Sequence, residues 1–234
     1  MELTPDDTIV FAIGALAINK TIFNTWLIMA LLTAVSWLVT RNLRPEVPPS
    51  RWRTALEVIV RGIEGQIAEI SQAPDRRLLY FSGTLFLFIV TSNLLMVVPG
   101  FDPPTASLST TAALALSVLV AVPIFGISSR GLGGYLATYV EPSVVMLPFN
   151  VISEFSRGIS LAIRLYGNIM SGAVIAAILL GVAPFFFPVV MDMLGLLTGI
   201  IQAYIFAILA TVYISSATAA PPDRDTPEPA KDQT

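Results

Sequence analysis

The chain has no cysteine and no histidine. The first absence excludes a disulfide framework and thiol chemistry. The second removes the side chain that most often shuttles protons near neutral pH and most often ligates metals. A proton path through this protein therefore has to use carboxylates, hydroxyls, amides and water. Charge is scarce too: only 12% of the 234 residues are charged, about half the share in soluble proteins. No Gly-rich loop ending in Gly-Lys-Ser or Gly-Lys-Thr is present, so no segment is built to cradle nucleotide phosphates. No internal repeat is visible, which argues against a transporter made of inverted halves. Glu2, Asp6 and Asp7 stand where a secretory signal would be basic, so no cleaved signal peptide is expected. Metal, cofactor and nucleic acid are all absent from the expected partners.

What fills the chain instead is apolar: 55% of it is hydrophobic and its mean hydropathy is +0.77. Several runs reach the roughly 18–20 residues that a membrane-crossing helix needs. The expectation is an all-α integral membrane protein in a lipid bilayer, a single domain over 1–220, with spans at about 22–40, 78–98, 110–127, 144–182 and 185–216. Trp26 and Trp37 lie toward the ends of the first span, where interfacial aromatics are favoured. The patch 9–18 is too short to cross and is expected on the membrane surface. Between 41 and 77 stand Arg41, Arg44, Arg51, Arg53, Arg61, Arg76 and Arg77, which places that stretch in the cytoplasm by the positive-inside rule. Within it Thr54-Ala55-Leu56-Glu57 resembles a capping box. Leu56, Ile59, Val60, Ile63, Ile67 and Ile70 follow at helical spacing, giving an amphipathic helix in the interface plane or against a soluble partner.

Pro99-Gly100-Phe101-Asp102-Pro103-Pro104 predicts a tight external turn, and Pro123 a kink in the third span. Arg130 with Gly131, Gly133 and Gly134 predicts a cytoplasmic loop. The last two apolar stretches, flanking Pro184 and Pro188, exceed an upright span, so they should tilt or wrap along a partner. The Pro-rich, charged segment 221–234 is expected to be a disordered cytoplasmic tail. Five spans put the N-terminus outside and the C-terminus inside.

The polar residues inside this apolar frame fall into a pattern. Arg164 is a permanent cation within the run 144–182. A central arginine costs about 2.5–3.5 kcal/mol on insertion scales, so it implies an anion or a wet path. Asn150, Glu154, Arg157, Arg164, Asn168 and Ser171 are offset by 0, 4, 7, 14, 18 and 21 residues, which at about 100° per residue forms one stripe. Ser153, Ser156, Ser160 and Gly167 lie on the adjoining face, and small residues let helices approach closely in lipid. Glu154 and Arg157, at i,i+3, read either as part of that stripe or as a plain ion pair. On the last helix Asp192, Gly195, Gly199 and Gln202 share a face. Gln202 reads as an interhelical hydrogen bond or as support for the arginine, and Asp192 as an ion-path carboxylate or a helix-terminus charge. Asn93, beside Ser92 in the second span, reads as interhelical glue or as path lining.

Two of these segments resemble a known family, subunit a of F-type ATP synthases. Ser160-Leu161-Ala162-Ile163-Arg164-Leu165-Tyr166-Gly167-Asn168 looks like its essential-arginine motif, and Ile201-Gln202-Ala203-Tyr204-Ile205-Phe206 like its last-helix glutamine motif. Asn93-Leu94-Leu95 before Pro99-Gly100, and 104–111, match more weakly; the likeness spans about 20–218. It implies a stator ion-channel subunit of a bacterial inner membrane complex. Two offset half-channels and Arg164 would couple proton or sodium movement to rotation of a c-subunit ring, with the last two helices a tilted hairpin against that ring. Peripheral stalk b subunits and the rest of the synthase would be partners, and ATP chemistry would belong to them. Gln202 would pack near Arg164, Asn168 and Ser160 would line the path, and Glu154 matches a frequent acidic position on the cytoplasmic side. The chain departs from the family at Asn150, Ser107, Ala173 and Gly195, where relatives carry ionisable groups. That marks a divergent branch, with Asp192 as the substitute carboxylate in the outer half-channel. The competing reading is a stand-alone transporter or channel that binds an anionic substrate at Arg164.

Overall fold

The computed structural model describes residues 9–13, 16–41, 51–70, 76–98, 100–140, 143–181 and 186–218. Six helices carry the chain: α1 (Lys20–Thr40), α2 (Arg51–Ile70), α3 (Arg76–Leu94), α4 (Leu108–Val140), α5 (Met146–Leu180) and α6 (Phe186–Thr218). Five of them, all but α2, are long and apolar enough to cross a membrane. The expected all-α integral membrane fold is therefore present. The N-terminal 1–8, the segments at 42–50 and 71–75, Pro99, the turn at Pro184 and the tail from 219 lie outside the described residues.

Four elements differ from expectation. The patch at 9–18 forms an antiparallel hairpin, β1 (Ile9–Ile13) with β2 (Leu16–Asn19), ahead of α1. Ile9, Val10 and Ile13 are β-branched and Phe11 is aromatic, residue types that favour strands. Second, α2 starts at Arg51, so Thr54 lies inside the helix rather than at its cap. Glu57 accordingly pairs with Arg61, one turn on, at 2.6 Å. Third, Pro123 keeps helical dihedrals, and the break in α4 falls at Gly131, with φ 74° and ψ 167°. Fourth, the loop expected at 130–134 is reduced to that single residue. Gly133 and Gly134 remain helical, and residues 132–140 fold back beside the preceding segment. Only glycine takes this positive φ without strain. The fold-back is held because Tyr135 packs where a side chain on Gly126 would stand: a Cβ there would lie 2.5 Å from the ring.

The core lies among α3, α4, α5 and α6, around Ile89, Val118, Leu161, Leu165 and Phe206. A second apolar cluster, with Ile67, Leu78, Ala121, Val122 and Ile214, brings α2 onto the bundle. So α2 packs on the bundle by Ile63 and Ile67 of its expected apolar face, while Ile59 and Val60 of that face stay exposed with Val58. At one end of the bundle Lys20 bridges to Asp102 at 2.5 Å, and Asn24 Nδ2 donates to the Asp102 carbonyl at 2.8 Å. That ties α1 to the 100–107 turn. Arg130 marks the other end.

Candidate ion-translocation site

The polar stripe expected on α5 is there: at Arg164 it looks outward, and from Asn150 to Arg157 it meets α4 and α6. The helix buries Gly158, Leu161, Ala162, Leu165 and Ile169 against the bundle. Arg157, Ser160, Arg164 and Ser171 are exposed, while Asn150, Glu154 and Asn168 are half-buried. No hydrogen bond or ion pair from the described residues reaches Arg164. Ser153, Ser156 and Ser160 are exposed alongside it and Gly167 is half-buried, so the backbone here is open to close approach by another helix.

Gln202 faces the opposite way. It is buried on α6, 6% exposed, next to the core residues Ala203 and Phe206. Its Nε2 has no hydrogen-bond partner among the described residues, and no hydrogen bond joins it to Arg164. An unmet buried amide is costly, so this group is poised to accept a new partner. Three residues earlier Gly199 gives its carbonyl to Asn93 Nδ2 at 2.8 Å. Asn93 Oδ1 in turn accepts from Thr105 Oγ1 at 2.8 Å, and Thr105 lies 3.2 Å from Ser92 Oγ. Thus Asn93 and Ser92, read from sequence, join Thr105, which fell within the weaker 104–111 match without a role of its own, in one buried neutral network tying α3, the 104–106 turn and α6. Asp192 is exposed. It stands in the second turn of α6, beyond the reach of the helix-terminus charge. Gly195 lies beside Met96, whose Cε would be 3.8 Å from a Cβ added there.

Toward the Arg130 end one of the two readings of Glu154 and Arg157, the plain ion pair, does not hold. Glu154 and Arg157 do not form an ion pair. Tyr139 Oη donates to Glu154 Oε2, and the Arg157 guanidinium sits over the Tyr213 ring, 5.3 Å from its centre. An i,i+3 spacing on a surface helix allows a pair worth only a few tenths of a kcal/mol, and these aromatic partners outcompete it. Asn150 Nδ2 donates to the Tyr139 carbonyl at 3.0 Å. Tyr135, Tyr139 and Tyr213 were not singled out in the sequence; the i,i+4 spacing of the first two was the available signal. These groups line a cavity of about 170 Å³ that reaches from Asn150 and Glu154 to Leu161, one turn short of Arg164. Among the described residues no cluster of three acidic side chains could hold a metal ion.

Comparison with known proteins bears on this arrangement. Residues 22–215 match the family described as ATP synthase A chain. ATP synthase subunit a of Albidiferax ferrireducens is 56% identical over 218 residues, covering 93% of this chain and 94% of that one. ATP synthase subunit a 2 of Acaryochloris marina is also 56% identical, covering 93% of each chain. ATP synthase subunit a 1 of Chlorobium luteolum is 55% identical over 94% of this chain and 99% of its own. A match over this share of a five-span helical membrane chain is conclusive for kinship: the chain belongs to the ATP synthase A chain family, subunit a of the F-type ATP synthase, an ion-transport subunit whose partners carry the ATP chemistry.

Proposed function

We propose that this chain is the stator of the rotary motor, offering two offset half-channels to a c-subunit ring, with Arg164 as the charge that couples ion passage to rotation. The observation that carries the reading is the placement of Arg164. It is exposed on the outer face of α5, without an ion pair among the described residues, beside Ser156 and Ser160. A cation held at membrane depth needs an anion, and the small-residue row beside it suits a partner helix carrying one. A stand-alone transporter would instead point the arginine into a cavity of its own; the cavity near α5 stops at Leu161.

The chemistry follows from charge. At about 4 Å and an effective dielectric near 20, Arg164 attracts a ring carboxylate by about 4 kcal/mol. That favours the ionised carboxylate and drives its proton, or a bound sodium ion, into the departing half-channel. The same fixed charge repels a cation trying to pass directly between half-channels, so flow requires the ring to turn. Asn168, Ser160 and Ser171 line the path at the arginine, Gln202 backs it from α6, and Asn150, Glu154 and Arg157 belong to the half-channel at the Arg130 end. Asn93 and Asp192 belong to the other half-channel. The Arg130 end is the cytoplasmic one, peripheral stalk b subunits hold the chain still, and the whole sits in a bacterial inner membrane.

The test is Arg164→Ala in the complete complex, reconstituted in vesicles. The variant should assemble, because an apolar residue inserts more easily, yet lose ion-driven ATP synthesis and admit a passive leak. Arg164→Lys should also largely fail, since lysine lacks the planar fork and is more strongly hydrated. Ion-driven synthesis at the parent rate in Arg164→Ala would overturn the reading.

A further inference from the structure

The fold-back of α4 at Gly131 places two tyrosines over Glu154, the one carboxylate among the described residues that lines the cavity at the Arg130 end. Tyr135 is 7% exposed and seated on Gly126. Its ring meets that of Tyr139 edge-on, with centres 5.2 Å apart, and the two hydroxyls lie 2.7 Å apart. Glu154, when ionised, can only accept, so the single Tyr139 proton goes to it and Tyr135 must donate to Tyr139. The result is a relay of fixed direction, Tyr135 to Tyr139 to Glu154. Arg157, the nearest cation along the helix, is held away on Tyr213. Glu154 thus has no arginine partner among the described residues, and the hydroxyl that it accepts from is neutral.

We propose that residues 132–140 are a latch over the ion path and that Tyr139 is its gating residue. In the closed state its hydroxyl occupies Glu154. A cation arriving from the Arg164 side competes for the same carboxylate. A proton adds to a carboxylate oxygen, or a sodium ion is coordinated by it; Tyr139 keeps its own proton and turns away, the backbone yielding at Gly131. The cation then leaves to water and the hydroxyl returns. The cavity supports this because it spans from Glu154 to Leu161, two helical turns or about 10 Å along α5. It is walled by the latch on one side, through Tyr135, Thr138 and Tyr139, and by α6 on the other. Arg130 Nη1 donates to Thr138 Oγ1 at 3.0 Å, which steadies the latch across its own hinge. The proposal rests on the ion-path reading of α5.

The test uses the missing thiols. Ala115→Cys puts one sulfur on a cavity-lining position that is 3% exposed, in a chain with no other cysteine. The complete complex in vesicles is treated, on the face bearing the arginine-rich stretch, with a small water-soluble thiol reagent, and the mass shift of this chain is followed. Tyr139→Phe keeps the ring and removes the hydroxyl. It should speed labelling by roughly tenfold, the size expected on losing a hydrogen bond to a charged group. In a Glu154→Gln background the same Tyr139→Phe change should have little effect, because the hydroxyl acts through the carboxylate. Labelling unchanged by Tyr139→Phe would overturn the latch, and so would an acceleration that persists undiminished with Glu154→Gln. Arg164→Ala in parallel separates the two ideas: lost transport there with no Tyr139 effect sinks the latch alone, whereas parent-rate transport in Arg164→Ala sinks the stator reading.

Discussion

At the scale of single residues, Asn93 and Gly199 are fitted to each other. A Cβ at Gly199 would lie 3.0 Å from Asn93 Nδ2 and 3.1 Å from its Cβ. Asn93 is 2% exposed and bonded at both ends of its amide, so it cannot step aside without giving up those bonds. Gly199→Ala should therefore weaken the contact between α3 and α6 by about 1–3 kcal/mol, the cost of overpacking plus an unmet buried polar group. Thermal unfolding of the complex in detergent measures it. Asn93→Ala should cost a similar amount, by removing the buried amide that links Thr105 to the Gly199 carbonyl. The double variant should cost less than the sum of the two, because truncating Asn93 makes room for the new methyl. Simple additivity would mean that the close approach does not set the packing here.

At the scale of elements, the sequence showed which helices exist far better than how they end. Five spans were legible because lipid selects long apolar runs whatever the tertiary contacts. The stripe on α5 was legible because helical periodicity alone fixes which residues share a face. The latch was not, since three glycines near Arg130 read as a loop although only Gly131 uses a glycine's freedom. Nor was the partner of Glu154: spacing places Arg157 within reach on the same helix but says nothing of a tyrosine arriving from α4. The start of α6 is open to the same kind of surprise. Asp192 is exposed in its second turn, with Gly195 one turn deeper on the same face. If Asp192 serves the outer half-channel, Asp192→Asn should slow ion uptake without harming assembly. Adding Gly195→Glu should recover part of the rate, because Met96, the nearest side chain, is flexible enough to yield. Asp192→Asn transporting at the parent rate across the working pH range would leave that path to water and neutral groups such as Asn93.

For the whole molecule, charge and fold make one joint statement about orientation. The residues in and around α2 carry Arg41, Arg44, Arg51, Arg53, Arg61, Arg76 and Arg77, while the far turn presents Asp102 paired with Lys20. The positive-inside rule counts such short arginine-rich segments and predicts a cytoplasmic position for them. The packing then carries the assignment to the C-terminus without further use of charge. Gly126, one turn before Arg130, lies against α6, with a Cβ there 3.4 Å from the Ala217 carbonyl. The end of α6 is thereby fixed on the Arg130 side, and Gly195 beside Met96 fixes its start at the Asp102 side. A tag after Thr234 and a label at Arg53 should consequently be reached from the cytoplasm, and a label at Pro104 only from outside. Reagents that do not cross the membrane, applied to right-side-out and inverted vesicles, read all three positions. A tail found on the same side as Pro104 would contradict the packing of α6 as well as the arginine bias, and would move Glu154 and its tyrosine latch to the opposite face of the membrane.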